Sequence, residues 1–173
     1  MIGGSLGAAS LNLKLPEAIA LLEPANRPQI RHQCGKKHSQ ICEQNYRDNQ
    51  VNAKILPFID DMRAAYEWAD LVVCRAGALT IAELAAVGIA SILIPFPYAV
   101  DNHQFHNACF LQAANAARII SDDELNAESL ATLLAHFRSN REELIAMSVN
   151  ARQQAKVDAT ETLAQGILTG AKL

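Results

Sequence analysis

Apolar and polar residues along this chain fall into two alternating periods. Asp70-Leu-Val-Val-Cys74 and Ala90–Pro95 are continuous apolar runs, each predicting a strand buried on both faces. Gln29–Gln33, Lys54–Phe58 and Ala117–Ser121 read as further strands. Between them lie amphipathic stretches with a helical period: Leu11–Leu22, Lys37–Asn49, Asp60 to about Trp68, a run ended by Gly88 (79–87), and His103–Ala114. Three helices close the chain, Asn126–Arg138, Arg141–Ala155 and Ala159–Leu168, and Asn140 with Glu143 and Asp158 with Glu161 mark two of their starts. Strands alternating with helices as far as Ser121 predict an α/β fold, a Rossmann-like parallel sheet with helices on both faces. In such sheets ligands sit beyond the carboxyl ends of the strands. The turns Gly3–Gly7, Phe58–Asp61, Arg75–Thr80 and Phe96–His103 should therefore converge on one site. Only Met1 and Ile2 precede the first of these. Two residues make a poor strand, and we expect the chain to begin inside a fold.

Composition narrows the class. A chain of 173 residues fits one domain and, at half apolar, buries a core without disulfide or metal. A formal charge of −3 argues against a nucleic-acid partner, which selects a basic stripe, but is compatible with one phosphorylated small molecule. Cys34, Cys42, Cys74 and Cys109 form no C-x-x-C pair and read as reduced thiols of a cytosolic protein. No apolar run approaches the ~20 residues of a membrane span, and the start lacks the basic and apolar regions of a signal peptide. No Asp-x-Asp cluster is present to bind a metal, so we expect neither metal nor cofactor.

The candidate chemistry centres on Cys74-Arg-Ala-Gly-Ala-Leu-Thr-Ile-Ala-Glu83, read as strand, tight turn and helix start. A helix start offers unpaired N–H groups and the positive end of the dipole, an anion site. Arg75 can add a fixed positive charge, and Glu83 can accept hydrogen bonds from two sugar hydroxyls. Thr80-Ile-Ala-Glu83 is equally a capping box with no other role. Gly3-Gly-Ser-Leu-Gly7 is a glycine-rich turn whose N–H groups and Ser5 hydroxyl can bind an anion. It also fits the G-x-S-x-G elbow of a serine hydrolase, with Asp101 and a later histidine, although almost nothing precedes it to supply an oxyanion hole. It does not complete G-x-G-x-x-G. Asp60 or Asp61 should cap the following helix, and the extended backbone of Ile59 can pair with the edge of a planar base. His103, Gln104 and Asn107 share one helix face, where the amides suit vicinal hydroxyls. His32, His38 and His136 read as surface or strand histidines.

Taken together, Gly3–Ala8, Phe58–Met62, Ala69–Glu83, Pro95-Phe-Pro97 and His103-Gln-x-x-Asn107-Ala108 resemble the bacterial UDP-N-acetylglucosamine:undecaprenyl-pyrophosphoryl-N-acetylmuramoyl-pentapeptide N-acetylglucosaminyltransferases, which make lipid II for peptidoglycan. The resemblance runs from about Gly3 into the final helices. It implies one half of a two-domain GT-B fold, the C-terminal half that binds the donor, UDP-N-acetylglucosamine. By that resemblance Ser5 and the backbone of Ala78, Leu79, Thr80, Ile81, Ala82 and Glu83 hold the pyrophosphate. The Ile59 backbone reads uracil, and Glu83 holds the ribose hydroxyls. Gln104, helped by Asn107, holds the N-acetylglucosamine hydroxyls, while Arg75 steadies the phosphate loop. No catalytic base is expected here, because the family's glycine-rich loop with its histidine, its acceptor site for lipid I and its membrane patch lie in the N-terminal half. The tail, 159–173, is expected to pack against that half. The resemblance implies a peripheral enzyme on the cytoplasmic face of the inner membrane. Two other readings compete: a free-standing donor subunit of a split glycosyltransferase, and a UDP-N-acetylglucosamine 2-epimerase, for which no clear acid/base pair at the sugar C2 is visible.

Overall fold

The computed structural model describes residues 1–2 and 8–170. Eight helices and five short strands are assigned among them: α1 (Ala9–Ala20), β1 (Arg31–Gln33), α2 (Ser39–Asp48), β2 (Lys54–Leu56), α3 (Met62–Trp68), β3 (Val72–Cys74), α4 (Ala78–Val87), β4 (Ser91–Leu93), α5 (His103–Ala113), β5 (Ala117–Ile119), α6 (Ala127–Ser139), α7 (Arg141–Gln153) and α8 (Ala159–Gly170). All strand pairs are parallel, β1 with β2 and β3–β4–β5 in a row. Ile2 joins the two groups by a parallel bridge on each side, to Gln33 and to Cys74. Counted as the first strand, it completes the order 3-2-1-4-5-6 of a doubly wound sheet.

The strands are buried on both faces, and their period of two divides the core cleanly. Val73, Ile92 and Ile94 point toward α1, α2 and α6, whereas Val72, Cys74 and Leu93 point toward α3, α4 and α5. Helix α7 closes the sheet's side, with Leu144 and Met147 in the first core and Ala151 in the second.

Asn12 and His32, polar residues in the core, are paired, whereas the buried Ser91 Oγ has no hydrogen-bond partner among the described residues. Pro16 lies inside α1 and cannot donate to Asn12 C=O, so the Asn45 side chain donates to that carbonyl instead, at 3.3 Å. Asn12 also donates to Cys34 C=O at 3.0 Å, and its Oδ1 lies 2.9 Å from His32 Nε2. Because that amide oxygen can only accept, Nε2 is the protonated nitrogen, and Tyr46 Oη, 2.8 Å from Nδ1, donates to it. His32 is thus a fully buried strand residue rather than a surface one, and burial pushes it down to about 3, so the ring is neutral.

Of two predicted helix starts, one forms its cap and the other does not. Asp61, not Asp60, caps α3 by accepting from Ala64 N–H at 2.9 Å. Asn140 makes no side-chain cap. Glu143 instead reaches Arg118 at 2.6 Å and His136 at 2.5 Å, and the His136 contact holds its carboxyl below the usual range. Helix α4 ends at Gly88, whose φ of +75° closes the last turn through N–H bonds from Gly88 and Ile89 to Leu84 C=O. Helix α8 leaves Leu163, Ile167 and Leu168 exposed.

Candidate functional site

The switch point of this sheet lies where Ile2 and β3 run side by side and their following helices go to opposite faces. Their carboxyl ends carry the first candidate turn, 3–7, and the turn Arg75–Gly77. Gly3–Gly7, with Ser5, lies outside the described residues.

The β3–α4 turn presents a bare helix start. Gly77 is the N-cap, extended at φ −63° and ψ 146°, with no side chain capping the helix. The first helical hydrogen bond runs from Ile81 N–H to Gly77 C=O at 2.9 Å. The N–H groups of Ala78, Leu79 and Thr80 precede it and have no intrahelical acceptor. Two sequence expectations change accordingly. The capping box at Thr80–Glu83 does not form, because Thr80 already sits inside the first turn. Ile81 and Ala82 cannot offer backbone donors to an anion, since their N–H groups belong to the helix ladder. The open cradle is Ala78–Thr80. Leu79 stands 80% exposed over it.

Arg75 is held from several sides. Its guanidinium donates to Ile94 C=O and Pro95 C=O, both at 3.1 Å, and to Ser10 Oγ at 2.9 Å, and it pairs with Asp122 at 2.5 Å. Ser10 Oγ donates in turn to Asp122 Oδ1 at 2.8 Å. The Phe96 ring lies 5.4 Å away. This corrects the picture of Arg75 as a charge aimed at an anion, because Asp122 compensates it and internal acceptors occupy it. Its role is mechanical: it ties the ends of β3, β4 and β5 to the start of α1. Asp122 and Ser10 were missed by sequence reasoning. Asp122 had a usable signal, its place just past the carboxyl end of a predicted strand. Ser10 had none.

The amides of α5 also brace loops. Gln104 Oε1 accepts from Phe96 N–H at 3.0 Å, leaving its NH2 group uncommitted among the described residues. Asn107 Nδ2 donates to Ala76 C=O at 3.1 Å, leaving its oxygen. Each amide therefore has only half its capacity for a ligand. At the mouth of α5, Asp101 and Asn102 adopt φ of 51° and 52°, a left-handed pair that a folded rim must enforce.

Glu83 is exposed on α4 and accepts from Tyr66 Oη at 2.9 Å. Burial and this bond push the buried Tyr66 phenol up, so it stays a donor. The contact sets α3, and with it the turn Phe58–Asp61, beside α4. Ile59 is buried there, and among the described residues its backbone has no hydrogen-bond partner. Sequence reading did not single out Tyr66. The structure thus brings Glu83 to the turn of Ile59, and Gln104 and Asn107 to the turn of Arg75. The thiols do not take part: Cys74 and Cys42 are pushed up to about 12 by burial. Among the described residues no cluster of metal-binding side chains occurs, and no helix is long and apolar enough to cross a membrane.

Comparison with known proteins agrees with this fold. The chain matches the glycosyltransferase family 28 C-terminal domain over residues 1–163. A UDP-N-acetylglucosamine--N-acetylmuramyl-(pentapeptide) pyrophosphoryl-undecaprenol N-acetylglucosamine transferase from Dechloromonas aromatica is 52% identical over 95% of this chain and 46% of its own length. The protein of the same name from Chromohalobacter salexigens is 51% identical, over 97% and 46%. A crystal structure of MurG from Acinetobacter baumannii superposes with a TM-score of 0.89 at 42% identity, covering 97% of this chain and 48% of that one. The chain spans about half the length of the curated relatives it matches. With a doubly wound half-domain, an uncapped helix at its switch point and a family match over nearly all its length, the chain belongs to the glycosyltransferase family 28 C-terminal domain family.

Proposed function

We propose that this chain is the donor-binding half of an inverting glycosyltransferase that transfers N-acetylglucosamine from UDP-N-acetylglucosamine to the C4 hydroxyl of lipid I, giving lipid II in peptidoglycan synthesis. The observation that carries the reading is the bare start of α4 at the sheet's switch point. Donors at Ala78, Leu79 and Thr80 face the pyrophosphate, with Ser5 adding a hydroxyl. Glu83, oriented by Tyr66, takes the ribose hydroxyls through its remaining lone pairs. The free backbone groups of Ile59 pair with the uracil edge. The spare NH2 of Gln104 and oxygen of Asn107 meet the sugar hydroxyls.

In the reaction the acceptor oxygen forms a bond to C1 as the bond from C1 to the β-phosphate oxygen breaks. The electron pair leaves on UDP. Charge grows on the pyrophosphate in the transition state, where fixed N–H donors are each worth roughly 3–4 kcal/mol. That stabilisation is electrostatic and calls on no cofactor. The proton of the C4 hydroxyl goes to a base outside this chain, in an acceptor half against which α8 packs. The assembled enzyme acts as a peripheral protein on the cytoplasmic face of the inner membrane, where lipid I is held.

Calorimetric titration with UDP and with 2′-deoxy-UDP tests the assignment. Glu83→Ala should weaken UDP at least tenfold and 2′-deoxy-UDP by clearly less, because that ligand has already lost one of the two ribose hydroxyls. Equal losses for both nucleotides, or no UDP binding by the native chain, would refute it. The isolated chain should transfer nothing to a lipid I analogue.

A further inference from the structure

The two most exposed large apolar side chains among the described residues are Tyr98, at 85%, and Leu79, at 80%. Scattered exposed apolar residues are ordinary. These two fall on adjoining turns of the same rim, Leu79 in the first turn of α4 after β3 and Tyr98 in the turn after β4. The segment that carries Tyr98 is fixed from below. Arg75 donates to Ile94 C=O and Pro95 C=O, and its guanidinium faces the Phe96 ring. Gln104 accepts from Phe96 N–H. Phe96 C=O accepts from Ala99 N–H at 3.2 Å, closing a turn with Pro97 in the second position, where a fixed φ fits. Asn102 N–H donates to Ala99 C=O at 3.1 Å and adds a second turn. On this support the Tyr98 ring meets the Phe96 ring edge to face, with centroids 5.6 Å apart. The phenol hydroxyl has no protein partner among the described residues. Tyr98 is thus a ring braced by its own loop and bare on its outer side.

We infer, resting on the donor role proposed above, that Tyr98 braced by Phe96 is a stacking platform for the second substrate, the pyranose ring of the acceptor's muramoyl sugar. Reaction geometry selects this occupant. The attacking oxygen must come within about 3.5 Å of C1 of the donor sugar, so the acceptor ring lies against that sugar. Gln104 is the group assigned to the donor sugar, and the backbone that Gln104 holds carries the aromatic pair. A side chain on that loop therefore meets whatever lies next to the donor sugar. A pyranose presents a face of C–H groups with hydroxyls at its edge. Tyrosine matches both, with an apolar π-face and a hydroxyl that donates or accepts. A prenyl chain would call for a broad apolar surface, whereas Asp101, Asn102 and His103 stand exposed beside these two rings. Tyr98 takes no proton and forms no bond in the reaction. It orients the acceptor, so recognition of the acceptor is shared between this half and the half that supplies the base.

Saturation-transfer NMR on the chain loaded with UDP-N-acetylglucosamine tests this, with N-acetylmuramic acid as the probe and irradiation of the aromatic protons. The ring protons of the probe should take up saturation in the native chain. Tyr98→Ala should weaken the probe at least about fivefold, as loss of a stacked ring does. Tyr98→Phe, which keeps the ring, should stay within about twofold of native. Thermal midpoints and UDP affinity by calorimetry should be native in both variants, because Tyr98 supports neither the core nor the nucleotide. Absence of saturation on the probe with the native chain, or a signal that survives in Tyr98→Ala, would overturn the inference. So would Tyr98-dependent saturation of a short prenyl diphosphate or of the acceptor pentapeptide with none on the sugar, which would give the platform to another part of the acceptor. The UDP titration separates the two readings. A chain that binds UDP but not the muramoyl sugar refutes the platform alone, and a chain that binds no UDP refutes the donor role and the platform with it.

Discussion

Ala78→Pro separates the helix start's binding role from its structural one. Ala78 is the first residue of α4, its side chain is exposed, and its N–H has no intrahelical acceptor. Proline is favoured at this position because its fixed φ suits the helix and the absent N–H is missed by nothing inside it. Gly77 before it is extended at ψ 146°, the conformation that a residue preceding proline prefers. Folding should therefore be unchanged or improved, by up to about 1 kcal/mol through a less flexible unfolded chain. Binding should suffer, because one donor to a charged phosphate is gone. A hydrogen bond to a charged group contributes roughly 1.5–3 kcal/mol, which corresponds to a ~10- to 150-fold weaker Kd. The assay is calorimetric titration with UDP at low ionic strength, beside thermal unfolding of the same samples. A variant with native stability and native UDP affinity would refute the view that this helix start holds the pyrophosphate.

Other outcomes follow from single contacts. Tyr66→Phe removes the only protein donor to Glu83 among the described residues; UDP affinity should fall several-fold and 2′-deoxy-UDP affinity by less, and calorimetry reads both. Gly88→Ala forces a left-handed φ of +75° on alanine and sets its Cβ 2.9 Å from Arg152 Cβ, so denaturant unfolding should show a loss of about 2 kcal/mol. His32 has a folded pKa of about 3, below its unfolded value of 6.5, so the unfolded state binds the extra proton between them. Its contribution is complete above pH 6.5 and is lost as pH falls toward 3, by at most about 5 kcal/mol. Thermal midpoints should slope downward through that window, and His32→Gln should flatten the slope.

Much of this protein is written locally. Alternating strand and helix periods, the stop at Gly88 and the switch to three final helices depend on near neighbours, and they determine the α/β class. The turn after Cys74 is equally legible, since an apolar strand followed by a glycine turn and a helical run leaves open N–H groups wherever it occurs. Tertiary structure decided which of those groups remain available. Thr80 and Glu83 satisfy the capping-box pattern, yet the chain enters the helix at Gly77, and Glu83 turns to Tyr66, 17 positions away in sequence. Arg75 looked like a charge for a ligand until Asp122 and Ser10 met it from other ends of the sheet. A residue's type and spacing specify what it can bond, but partners distant in sequence become neighbours only when parallel strands bring their carboxyl ends to one rim. There, burial makes each polar group take the nearest acceptor.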